Sequence, residues 1–120
     1  EPGDVVAKST DSEGYIKSTK AYDPLVVGVV SDSAGYILGG EKGETQEEKE
    51  RIYAPVGMAG RVQAKVIGKV KIGDLLVASD TPGVAMAAER YIPGTVIGKA
   101  LEPYDNTETV GRIKILILNA

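Results

Sequence analysis

The chain has 120 residues, a net charge of −3, 42% apolar and 26% charged residues, and neither His nor Cys. That length supports one hydrophobic core and not two, so a single domain over 1–120 is expected, and the composition lies far from that of disorder. The acidic balance provides no field to draw a phosphate backbone, and the missing thiol and imidazole remove disulfides, thiolate metal sites, and the Ser-His-Asp, Cys-His and His-Glu-x-x-His designs.

The six aromatic residues are all Tyr, so the core must be built from Val, Ile, Leu and Ala, which favours the pleated surface of strands. Gly and Pro punctuate the sequence every 8 to 15 residues or so, with short Val- and Ile-rich runs between them, the pattern of many short strands. In chain order, strands are predicted at Val5–Lys8, Tyr15–Thr19, Leu25–Ser31, Tyr36–Leu38, Ile52–Pro55, Arg61–Ile67, Leu75–Ser79, Val84–Ala87, Thr95–Leu101 and Gly111–Leu118. Within Arg61–Val66 the alternation is strict, placing Val62, Ala64 and Val66 on one face and Arg61, Gln63 and Lys65 on the other, as in a half-buried strand. The only helical candidate, Thr45–Arg51, is polar all round and too short to stand alone; the charged stretch 41–51 is read as a solvated loop. No apolar run approaches the roughly 18 residues that cross a bilayer, and Glu1-Pro2-Gly3-Asp4 resembles neither a signal peptide nor an ordinary initiator, so a mature or excised piece is expected.

An internal repeat with an offset of about 70 organises these elements. Gly3-Asp4-Val5-Val6-Ala7 matches Gly73-Asp74-Leu75-Leu76-Val77, Tyr22-Asp23-Pro24 matches Tyr91-Ile92-Pro93, and Val26-Val27-Gly28 matches Val96-Ile97-Gly98. Two similar β-meanders, about residues 3–31 and 73–101, are too small to bury their apolar faces alone. Packed together and completed by the Arg61 strand and the C-terminal strand, they predict an all-β fold, a compact barrel or sandwich of about ten short strands.

Candidate chemistry is sparse. A Ser or Thr nucleophile paired with Lys is conceivable, because Ser9 and Ser18 neighbour Lys8, Lys17 and Lys20, while Ser31, Ser33 and Ser79 lie elsewhere. The Ser residues also sit at strand ends, where hydroxyls bond the backbone. Asp4 and Asp74 hold equivalent places and offer a carboxylate pair, against the stronger reading of Gly-Asp as turn chemistry. Glu41, Glu44, Glu47, Glu48 and Glu50 lack the spacing of a calcium loop, and neither Gly39-Gly40 nor Gly57 with Gly60 fits a phosphate loop. No catalytic, metal or cofactor-binding residue is therefore assigned, and no cofactor is expected. The terminal strand Arg112-Ile113-Lys114-Ile115-Leu116-Ile117-Leu118 becomes apolar on both faces from Ile115 onward. Such a strand is either central within the fold or adds to a neighbouring chain, and it is the candidate self-association segment.

Ser18-Thr19-Lys20-Ala21-Tyr22-Asp23, Val27-Gly28-Val29-Val30-Ser31, Gly60-Arg61-Val62-Gln63-Ala64-Lys65-Val66, Ile72-Gly73-Asp74-Leu75-Leu76, Thr81-Pro82-Gly83-Val84-Ala85-Met86 and the run Gly94–Glu102 form a combination spread over nearly the whole chain. It resembles a β-rich domain that recurs in bacterial extracellular appendage proteins and in phage tail-fibre or neck-appendage proteins. The resemblance implies a part of a trimeric or filamentous extracellular appendage, in some relatives beside self-cleaving segments. It carries over no catalytic residue, and the segment Glu41–Arg51 looks like an insertion. The expectation is a structural, non-enzymatic module on the outside of a cell or virion. Its partners would be copies of itself and neighbouring fibre domains, with neither nucleic acid nor membrane insertion. An autoproteolytic maturation domain and a glycan-binding module, with Tyr15, Tyr36, Tyr53 and Tyr104 as stacking platforms, are the alternatives.

Overall fold

The computed structural model describes residues 1–11, 14–31, 37–38 and 60–120. The strand expected at Ile52–Pro55, the helical candidate Thr45–Arg51 and the glutamate-rich stretch lie outside the described residues, as do Ser33, Tyr36, Tyr53, Gly39, Gly40 and Gly57.

The fold is all-β, with nine strands among the described residues. They are β1 (Val5–Lys8), β2 (Tyr15–Lys17), β3 (Val26–Val30), β4 (Ile37–Leu38), β5 (Arg61–Val70), β6 (Leu75–Ala78), β7 (Ala85–Ala87), β8 (Val96–Ala100) and β9 (Tyr104–Ile117). The first four form one sheet in the order β2-β1-β3-β4, and the other five close into a barrel in the order β5-β7-β6-β8-β9. The alternation read along β5 holds, since Val62, Ala64 and Val66 are buried while Arg61 and Gln63 are exposed.

The two meanders share one register. In the first, Val6 faces Lys17 on one side and Gly28 on the other; in the second, Leu76 faces Ala87 and Gly98. Every printed pair of β1–β2 and β1–β3 maps onto β6–β7 and β6–β8 by adding 70, including the bulge between Val6 and Ala7, which recurs between Leu76 and Val77. The turns repeat as well. Gly3 and Gly73 both take φ of +94°, and their amides donate to the carbonyls of Val30 and Ala100 at 2.9 and 2.8 Å. Ser9 Oγ accepts from the Asp11 amide, and Ser79 Oγ from the Thr81 amide, each at 3.2 Å. A Gly in the left-handed region followed by Asp is a locally encoded turn, which is why the offset could be read from residue types alone.

The halves differ in what surrounds them. Around the second meander, β5 runs parallel to β7 through Val66 and Ala85 and antiparallel to β9, while β9 returns to β8, so the sheet has no open edge. A five-stranded barrel is narrow, because the diameter of a barrel grows with strand number. Its interior is accordingly lined by small and branched side chains, with Ala64, Ala78, Ala85 and Ala100 all fully buried among Val66, Leu76, Ile97 and Ile115. The first meander contributes Val5 and Val29 to the same core. The strands therefore close around one meander, and the other forms a separate sheet docked against it.

Both long strands exceed their predicted bounds. β5 continues through Gly68, at φ +89°, to Val70, and β9 begins seven residues before Gly111. Val66 pairs with Gly111 and Gly68 with Asn106, so Thr107, Glu108, Thr109 and Val110 face the single residue Ile67 in a wide bulge. Asn106 Oδ1 accepts from the amides of Glu108 and Thr109 at 2.8 and 2.9 Å, and Tyr104 Oη donates to the Thr109 carbonyl at 2.6 Å. The polar run Asp105–Thr109 has the local chemistry of a turn, and only its pairing with β5 makes it part of a strand.

Candidate functional site

A buried carboxylate, Asp4, sits where the first meander meets the barrel. Asp4, only 2% exposed, follows the Gly3 turn. Its Oδ1 lies 2.8 Å from Lys65 Nζ on β5, and its Oδ2 lies 3.8 Å from Lys17 Nζ on β2. Lys65 Nζ also stands 2.7 Å from Glu1 Oε1, which Arg112 Nη2 of β9 approaches at 2.8 Å. Burial pushes the Asp4 carboxyl up, but hydrogen bonds from Lys65 and from the Glu1 amino group, 3.1 Å from Oδ2, together with their positive charges, outweigh it and hold the group below the ordinary Asp range. Burial likewise pulls Lys65 down, and its hydrogen bonds to Asp4 and Glu1 override this and raise it. Both groups are thus held charged near neutrality.

Backbone bonds complete the junction. The Lys65 amide donates to the Gly3 carbonyl at 2.9 Å, the Val5 amide to the Gly83 carbonyl at 2.8 Å, and the Gly83 amide to the Ser18 carbonyl at 2.8 Å. Gly83 holds φ +75°, and a Cβ there would stand 2.9 Å from Asp4 Oδ1, so glycine is needed both for the turn and for the approach. Farther along, the Tyr22 amide donates to the Ala78 carbonyl at 3.0 Å, the Ala21 amide to Asp80 Oδ1 at 3.0 Å, and the Glu89 amide to Tyr22 Oη at 2.8 Å. The Arg90 guanidinium lies 5.1 Å from the centre of the Tyr22 ring.

The carboxylate pair considered from the repeat is not built. Asp74, equivalent to Asp4, turns its Oδ2 to the Lys71 amide at 2.8 Å, as a turn aspartate does, while Asp4 binds Lys65. Of the serines, Ser9, Ser18, Ser31 and Ser79 are buried. Ser79 Oγ donates to the Val84 carbonyl at 2.6 Å, and Lys8 Nζ donates to the main-chain carbonyl of Ser9 at 3.2 Å. Among the tyrosines proposed as platforms, Tyr104 lies over Gly111, where an added Cβ would enter its ring. Tyr91, not singled out earlier, is 57% exposed. An open cleft runs beside Lys65 and Arg112, lined also by Thr81, Val84 and Val110. Both of its cations already face Glu1 or Asp4.

Arg112–Ile117 forms part of the barrel wall, and Leu118, just beyond β9, is exposed. Ile113, Ile115 and Ile117 are buried, Arg112 and Lys114 point to solvent, and Leu116 is half-buried. Leu116 pairs with Arg61 of β5 on one side and Lys99 of β8 on the other, and the Leu118 amide donates to the Ile97 carbonyl at 2.9 Å. Of the two roles open to this strand, the geometry realises the central one, and strand addition has no edge to use along Ile115–Ile117. Among the described residues the outer positions of the first sheet fall to β2 and β4, and Ile16 of β2 is 51% exposed. The counterpart of β2, β7, is covered by β5; among the described residues no strand takes that place beside β2.

No protein family, curated protein or solved structure matches the chain.

Proposed function

We propose that the chain is a structural module, a segment of an extracellular filament, tube or phage tail-fibre-like appendage, that associates with further copies of itself through its strand edges. The observation that carries this reading is the exposed Ile16 of β2, an outer strand of the first sheet among the described residues. Among the described residues the same strand position in the second meander is closed by a parallel strand, and Ile16 of β2 offers an exposed apolar side chain on which a neighbouring copy can pack. The bonds at the junction support the same reading, because they tie the first meander to the barrel.

Sedimentation velocity over a wide concentration range, with negative-stain microscopy, tests it. Concentration-dependent oligomers or polymers that weaken in Ile16→Lys, where a charge is placed on the edge, support the proposal. A wild-type chain that stays monomeric at the highest concentration reached rejects it.

A further inference from the structure

The contact between the two meanders is heterologous, meaning that the first presents one surface and the second receives it on a different one. The presented surface is the loop Ala21–Pro24, with Tyr22 at its centre; the receiving surface is formed by Ala78, Asp80, Glu89 and Arg90. Because the meanders share one register, each also carries the counterpart of the surface its twin uses. The second meander has its own Tyr-x-Pro loop, Tyr91-Ile92-Pro93, set by the turn bond from the Thr95 amide to the Ile92 carbonyl at 3.2 Å, as Val26 bonds Asp23 in the first. The first meander has Thr10, Thr19 and Lys20 where the second has Asp80, Glu89 and Arg90.

We infer that Tyr91 of one copy docks on Thr10, Thr19 and Lys20 of a second copy, repeating between molecules the contact that Tyr22 makes within one. This rests on the reading of the chain as a self-associating module and names a second surface for it, apart from the β2 edge. The chemistry of the receiving surface is retained at three of its positions. Lys20 supplies a cation for the Tyr91 ring as Arg90 does for Tyr22, the Thr19 amide stands where the Glu89 amide donates to Tyr22 Oη, and the Thr10 hydroxyl replaces the Asp80 carboxylate as acceptor. Thr10, Thr19, Lys20 and Tyr91 are all exposed, so both halves of the contact are accessible. The docked Tyr22 holds a left-handed φ of +56°, and Tyr91 is not among the positive-φ residues; the strained form belongs to the docked loop. A heterologous contact between identical chains propagates into a ring or an open filament, in keeping with the proposed appendage. The Gly3 turn is not part of the repeated contact, since it docks on β5, which has no counterpart beside the first meander among the described residues.

The chain has no cysteine, so introduced thiols report on chosen pairs alone. A chain carrying Thr10→Cys is mixed with one carrying Arg90→Cys under mild oxidation, and disulfide dimers are resolved on non-reducing gels. The expected result is a mixed dimer that forms several-fold faster than either homodimer, with the advantage lost when Tyr91→Ala is added to the Arg90→Cys chain. Mixed and like dimers forming at equal rates would overturn the inference, as would an advantage that survives Tyr91→Ala. Sedimentation separates the two proposals. If the wild type associates and Tyr91→Ala associates equally, this surface is rejected and the assembly reading stands; if the wild type never associates, both fall.

Discussion

Lys65 Nζ and Asp4 Oδ1 lie 2.8 Å apart although 61 positions separate the residues, and this pair ties the first meander to the wall of the barrel. Asp4 has almost no contact with water and Lys65 little, so each depends on the other to remain charged where it is.

Removing one partner should therefore cost more than removing both. Lys65→Met takes the closest cation from the buried Asp4 and leaves it the Glu1 amino group at 3.1 Å and the exposed Lys17 at 3.8 Å, and a loss of up to about 3 kcal/mol is expected from urea unfolding. The double variant Asp4→Leu/Lys65→Met should recover most of that loss, because a well-packed apolar pair avoids the desolvation of two ions. A double variant as unstable as the sum of the single ones would show no coupling between the two side chains and would reject the pair as the tie between meander and barrel.

The pair also sets a pH dependence. The folded-state pKa of Asp4 is depressed, so the folded chain binds fewer protons there than the unfolded chain. The associated stability is fully present above the unfolded value and is lost as pH falls through the folded one. The urea midpoint should fall from about pH 5 downward and flatten only at strong acid. Asp4→Asn should lose part of that acid slope while keeping the response of the exposed carboxylates. Lys65 is raised, so its contribution is present below its unfolded pKa and disappears only at strongly alkaline pH.

Gly98 marks the closest approach within the barrel wall, since an added Cβ would collide with the main-chain carbonyl of Leu116. Backbone paired on both sides cannot move aside, so Gly98→Ala should destabilise by about 3 kcal/mol or more, at or above the upper end of ordinary overpacking. Gly68→Ala meets no atom within 4 Å and bears only the strain of its positive φ, an expected cost of about 1 kcal/mol. Thermal unfolding of the two variants checks the order.

Tyr22→Phe removes the acceptor for the Glu89 amide and keeps the ring under Arg90. The amide is exposed to water, so the expected loss is about 1 kcal/mol. Tyr22→Ala should lose more, and native-state hydrogen exchange should show faster exchange at the Glu89 amide in both variants.

Much of this architecture was legible beforehand because it is local. The Gly3-Asp4 and Gly73-Asp74 turns need only a glycine that accepts positive φ and a following aspartate. The strict alternation of Arg61–Val66 marks one buried face without reference to any partner. Asp4 illustrates the other case. Nothing in its neighbours distinguishes it from Asp74, and only the lysine that folding brings from β5 makes one carboxylate a junction and leaves the other in a turn. Arg112–Leu118 was ambiguous for a related reason, because its apolar faces state that both sides are covered without stating by what. Tyr104–Val110 was missed as strand because its polar side chains favour a turn, and the pairing with Gly68–Val70 overrides that preference.

Residue order alone determined the all-β class, the repeated meander with its turns, and a core of small aliphatic side chains, since each follows from φ preferences and side-chain alternation over a few positions. The closure of five strands around one meander and not the other, the ion pair of Asp4 with Lys65, and the internal place of the C-terminal strand were decided only in three dimensions. They depend on contacts between residues tens of positions apart, whose energies no short window of sequence contains.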